Sequence, residues 1–77
     1  MECKARLIWD DGIWYSEVLT DKGEDVRLTL ESNSFDVLAE RVRVALPEML
    51  ELNFGYAGDI LLSFEADRQD SIKAAAS

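Results

Sequence analysis

Apolar and polar side chains alternate along residues 3–9 and again along 13–19, with Asp11-Gly12 between the two runs. A period of two is the pattern of a strand with one buried face, and Asp-Gly accepts the positive φ angles of a type I′ hairpin turn. A two-residue turn also fixes the register, so that Asp10 faces Ile13, Trp9 faces Trp14, Leu7 faces Ser16 and Ala5 faces Val18. One face then carries Ala5, Leu7, Trp9, Trp14 and Val18. The other carries Lys4, Arg6, Ile8, Ile13, Tyr15, Glu17 and Leu19. Arg6 opposite Glu17 predicts a cross-strand ion pair contributing at most about 1 kcal/mol.

A polar loop at 20–25 leads to a third predicted strand at 26–31, with Val26, Leu28 and Leu30 inward and Arg27, Thr29 and Glu31 outward. Ser34 then offers an N-cap, and Asp36 sits favourably in the first turn. Phe35, Leu38, Ala39, Val42, Ala45, Leu46, Met49 and Leu50 recur at helical spacing, which predicts a helix over 35–52. Pro47 removes one helical hydrogen bond but lies off the apolar stripe. The pattern admits one kinked helix through Pro47, or a break with Pro47 opening a second helix. Residues 60–65 predict a last strand with Ile60, Leu62 and Phe64 inward, and residues 66–77 predict a frayed tail or a short weak helix after a domain of residues 1–65.

The predicted order is β-β-β-α-β. A meander of three strands followed by a crossover helix places the last strand beside the first, giving an α+β domain. Its four-stranded mixed sheet has the spatial order 3-2-1-4, with one helix on one face.

The helix leaves the other face of the sheet open, and Ile8, Ile13, Tyr15, Leu19 and Leu61 point there. Isolated exposed apolar side chains are ordinary, whereas five on one sheet face form a candidate interface, for a second copy or for another partner. The mixed charges of Lys4, Arg6, Arg27, Glu17, Glu31 and Glu65 predict a polar rim around an apolar centre, and hence a homodimer across this face.

Charge and chemistry narrow the function classes. The 77 residues include 16 acidic and 8 basic side chains, a net charge of −8. That balance opposes direct nucleic-acid binding and docking on anionic lipid, and suits a basic protein partner. One cysteine, Cys3, and no histidine argue against a disulfide scaffold and a structural zinc site. Gly12, Gly23, Gly55 and Gly58 have neither phosphate-loop nor dinucleotide spacing, so no cofactor is expected. The opening residues lack a signal-peptide core and no apolar run approaches a membrane span, which makes the cytoplasm the expected compartment. Trp9 and Trp14 can stack a base, or serve as a core aromatic pair. No catalytic residue and no metal ligand is assigned. A divalent-metal nuclease, which needs converging carboxylates, is the alternative reading.

The segments Leu30-Glu31-Ser32-Asn33-Ser34-Phe35-Asp36-Val37-Leu38 and Leu46-Pro47-Glu48-Met49-Leu50-Glu51-Leu52-Asn53 resemble those of small bacterial proteins related to HicB antitoxins. The opening Trp9-Asp10-Asp11-Gly12-Ile13-Trp14 is similar to that family's first hairpin. The likeness covers about residues 3–65. It implies a partial RNase H-like fold without that fold's nuclease residues, and a non-enzymatic module that neutralises a small basic HicA-like toxin by protein–protein contact. Residues 20–25 lack the Pro-Gly dipeptide typical of HicB proteins, and a chain ending at Ser77 is not expected to hold the family's DNA-binding domain. No functional residue is carried over.

Overall fold

The computed structural model describes residues 1–70, 72 and 74. Asp11 and Gly12 take φ of 48° and 88°, both in the left-handed region, and close the hairpin between β1 (Glu2–Asp10) and β2 (Ile13–Thr20). The register is the expected one throughout, from Asp10 opposite Ile13 to Cys3 opposite Thr20. Burial alternates along both strands. Cys3, Ala5, Leu7, Trp14, Ser16, Val18 and Thr20 are buried on the inner face.

The third strand departs from expectation. Only Glu31–Ser32 pairs regularly, as β3, with Tyr15 and Trp14 of β2. Tyr15 and Leu19 lie four positions apart, whereas their partners Glu31 and Asp25 lie six apart, so the third segment holds two extra residues. They are accommodated by a bulge. Arg27 adopts φ 64° and donates its backbone N–H to Asp25 Oδ1 at 2.8 Å. Ser16 fills the gap in the ladder: its hydroxyl donates to Leu28 O at 3.0 Å and accepts from Leu30 N at 2.7 Å. The inward parity survives, with Val26 and Leu28 buried and Leu30 half-buried.

A single helix, α1 (Phe35–Phe54), runs unbroken through Pro47. Pro47 and Arg43 are both exposed, so water can satisfy the carbonyl that the proline cannot. Leu38, Val42, Leu46 and Leu50 recur every fourth residue and are buried against β1, β2 and β3. The helix extends two residues beyond 52 because its stop signal is Gly55, at φ 64°. Gly55 N and Tyr56 N donate to Glu51 O and Leu50 O. At the other end Ser34 Oγ accepts from Val37 N at 3.3 Å. Ser34→Ala is expected to cost about 1 kcal/mol, read as a lower urea midpoint with an unchanged m-value.

The last strand, β4 (Leu61–Asp67), pairs parallel to β1 and completes the order β3-β2-β1-β4. The protein is thus α+β, with a four-stranded mixed sheet and, among the described residues, one helix. A domain boundary at residue 65 falls inside β4. Just beyond the strand, Arg68 lies over the Trp9 ring at 4.4 Å from its centroid, so residues 66–68 are part of the packed unit. The rest of the expected tail falls largely outside the described residues. Among those described, no helix is long and apolar enough to cross a membrane.

Candidate functional site

The sheet face opposite α1 is built by parity. β1 contributes Glu2, Lys4, Arg6, Ile8 and Asp10; β2 contributes Ile13, Tyr15, Glu17 and Leu19; β4 contributes Leu61, Ser63, Glu65 and Asp67. Ile8 is directly opposite Tyr15, and Ile13 precedes Tyr15 on the same face of β2, so these three half-buried side chains form one cluster. Leu19 and Leu61 stand apart. Glu65, Arg6 and Glu17 align across β4, β1 and β2 as a charged row between Leu19 and the Ile8–Tyr15 pair. Leu61 is 67% exposed at the far end of β4, in register with Glu2. The apolar centre with a surrounding polar rim expected from the sequence is therefore divided. A strand meander brings neighbours in register together, but it cannot gather residues separated by a charged row.

The ion pairs on this face also differ from expectation. Arg6 does oppose Glu17, yet its guanidinium pairs with Asp67. Lys4 pairs with Glu65 at 3.8 Å. A long side chain in a strand leans along the strand, and β4 places two carboxylates beside the bases of β1. Both pairs are exposed and contribute about 0–1 kcal/mol each. Acidic side chains otherwise dominate around the cluster. Asp10 pairs with Ile13 in register, Glu31 pairs with Tyr15, Asp67 with Ile8, and Glu17 follows Tyr15 on β2. Tyr15 and Glu31 also line a shallow groove of about 490 Å³ with Thr29, Leu30 and Arg41. Arg41 reaches from α1 to donate to Glu31 O at 2.9 Å.

On the helix side Trp9 and Trp14 meet at 5.2 Å between centroids, tilted by 59°, and Trp14 meets Phe35 edge-on at 5.0 Å. Trp14 is buried, and the Arg68 guanidinium covers Trp9. The pair is core structure capped by a cation. Neither Arg68 nor the bridging role of Ser16 was legible as such. The signal for Ser16 was a hydroxyl at an inward position between Trp14 and Val18. Cys3 is buried beneath the sheet, and burial pushes its thiol pKa above the ordinary value. A raised pKa keeps the reactive thiolate scarce near neutrality, so slow alkylation of Cys3 in the folded protein is expected, rising on addition of denaturant. Among the described residues no three His, Cys, Asp or Glu side chains converge in a way that could hold a metal ion.

No curated protein and no solved structure matches this chain. A family model does match, over residues 2–75, nearly the whole chain and both sides of the cluster just described. The chain belongs to the family described as a domain of unknown function, DUF1902.

Proposed function

We propose that the protein is a non-enzymatic interaction module of antitoxin-like type, which binds a small basic protein through the open sheet face. The observation that carries this reading is the Ile8–Ile13–Tyr15 cluster, an apolar patch bordered by Asp10, Glu17, Glu31 and the Arg6–Asp67 ion pair on the face that α1 leaves uncovered. An apolar centre supplies area to bury, and the acidic border steers a basic partner and rejects acidic ones. The net charge of −8 acts in the same direction at longer range. The likeness of the first hairpin and of the 46–53 segment to HicB-related proteins supports a toxin of the HicA type as that partner.

Co-expression with a short basic HicA-type protein encoded beside this chain tests the reading. A stable complex and relief of toxicity are expected, with binding weakened about a hundredfold or more by Tyr15→Glu, whose carboxylate would be desolvated among acids. Failure to form any complex counts against the proposal. So does metal-dependent RNA cleavage by this chain that vanishes on carboxylate-to-amide substitution.

A further inference from the structure

The two edges of the sheet are finished differently. On the β3 side the regular strand is two residues long, Arg27 bulges out, and side chains from α1 reach over the segment: Arg41 bonds the outward Glu31 O and Asn53 bonds Val26 O, both at 2.9 Å. Short length, a bulge and a covering element are the devices that keep an edge from pairing. Among the described residues, the β4 edge has none of them. It is seven residues long and contains neither proline nor a bulge.

Its free hydrogen-bonding groups can be identified by parity. Leu61 N donates to Met1 O at 2.8 Å, so Leu61, Ser63, Glu65 and Asp67 turn their backbone groups to β1. Leu62, Phe64 and Ala66 turn theirs outward, and among the described residues nothing meets them. We propose that this edge is a homodimer interface, in which β4 pairs antiparallel with β4 of a second copy about a two-fold axis at Phe64.

The register follows from the residues. Centred on Phe64, the Phe64 pair exchanges both of its hydrogen bonds, and each Leu62 does the same with the other copy's Ala66. Every outward N–H and C=O of β4 is then used. Centring on Glu65 leaves Leu62 unpaired and sets Glu65 against its own copy, a like-charge contact. Centring on Ser63 leaves Ala66 unpaired. Charge does not oppose the Phe64 register, although each chain carries −8. The two acids of β4 are already matched by β1, Glu65 by Lys4 and Asp67 by Arg6, and Glu65 faces the neutral Ser63 of the other copy.

The side chains fit as well. α1 packs over β1, β2 and β3, leaving Leu62 and Phe64 of β4 half-buried on the helix side and Ala66 exposed. A two-fold axis normal to the sheet keeps both helices on one side. Phe64 then packs on Phe64, and the large Leu62 beside the small Ala66. A groove of about 340 Å³ between α1 and β4, lined by Leu46, Pro47, Ile60 and Leu62, opens on the same edge. Self-association thus belongs to the β4 edge, and the Ile8–Ile13–Tyr15 cluster stays open in both copies. This inference does not depend on the toxin-binding reading.

Sedimentation equilibrium of the full chain, with Ala66→Pro and Tyr15→Glu beside it, tests the interface. Proline at 66 removes an N–H that bonds no described residue, which an edge strand tolerates. The wild type is expected to be a dimer of 8.7 kDa chains at concentrations of about 100 μM. Ala66→Pro is expected to weaken association at least about tenfold with the near-ultraviolet dichroism of the tryptophan pair retained, and Tyr15→Glu to leave it intact. Hydrogen exchange of the wild type gives an independent readout should Ala66→Pro not fold. Protection at Leu62, Phe64 and Ala66 that grows with protein concentration supports the interface, and concentration-independent exchange there overturns it. A monomeric wild type, or a dimer broken by Tyr15→Glu and not by Ala66→Pro, overturns it too.

Discussion

Trp14→Ala is expected to lower the unfolding free energy by about 3–5 kcal/mol, the range for removing a buried aromatic ring. Trp14 is 8% exposed and lies between the Trp9 and Phe35 rings, so its loss opens a cavity where the hairpin meets the first turn of α1. Domains of this size seldom hold more than about 3–5 kcal/mol in total. The variant should therefore be largely unfolded at room temperature, with collapsed near-ultraviolet dichroism and no cooperative urea transition. Trp9→Ala should be milder, because Trp9 is half-buried, with the Arg68 guanidinium lying over its ring. A Trp14→Ala protein that melts like the parent would show that the ring does not pack beneath the helix.

Ser16→Ala is expected to cost about 2–4 kcal/mol, more than a surface-like serine suggests, because two backbone groups lose their partner together. Leu28 O and Leu30 N meet Ser16 Oγ at 3.0 and 2.7 Å inside the bulge, where the strand's two extra residues prevent an ordinary ladder. Urea denaturation measures the loss. Hydrogen exchange locates it, with faster exchange at Leu30 and little change in the β1–β2 register. Ser16→Cys should fall between the two, since a thiol is a weak donor and acceptor. An alanine variant with parental stability and an unaltered Leu30 amide would mean that water replaces the hydroxyl.

How much of this was legible depended on the range of the physics involved. The hairpin was readable because Asp11-Gly12 admits one turn geometry, and that turn sets every pairing of β1 with β2. The helix was readable because its stripe continues in phase across Pro47, and the proline falls on the solvent side. Its end was misplaced by two residues, since apolar spacing fades before the left-handed cap at Gly55 does its work. The third strand showed its inward side chains but not its backbone. Alternation of Val26, Leu28 and Leu30 survives a bulge that removes most of the ladder.

The candidate site was legible by residue and not by arrangement. Ile8, Ile13, Tyr15, Leu19 and Leu61 belong to the open face by parity, which is local. Whether they touch depends on which residues lie between them across three strands. The charged row of Glu65, Arg6 and Glu17 exists only once β4 has come back beside β1. The same return hands Arg6 to Asp67, lays Arg68 on Trp9 and leaves one long edge at β4 that no described residue pairs.

The sequence by itself therefore determined the elements, their order, the hairpin register and the face of each strand. These follow from dihedral preferences and from periods of two and 3.6 residues, which act within a few residues of each position. Only the tertiary structure decided the bulge, the grouping of the apolar residues, the ion pairs and the unequal edges. Each of these arises where segments far apart in the chain meet, and there the geometry of the assembled sheet selects among partners that local pattern leaves equivalent.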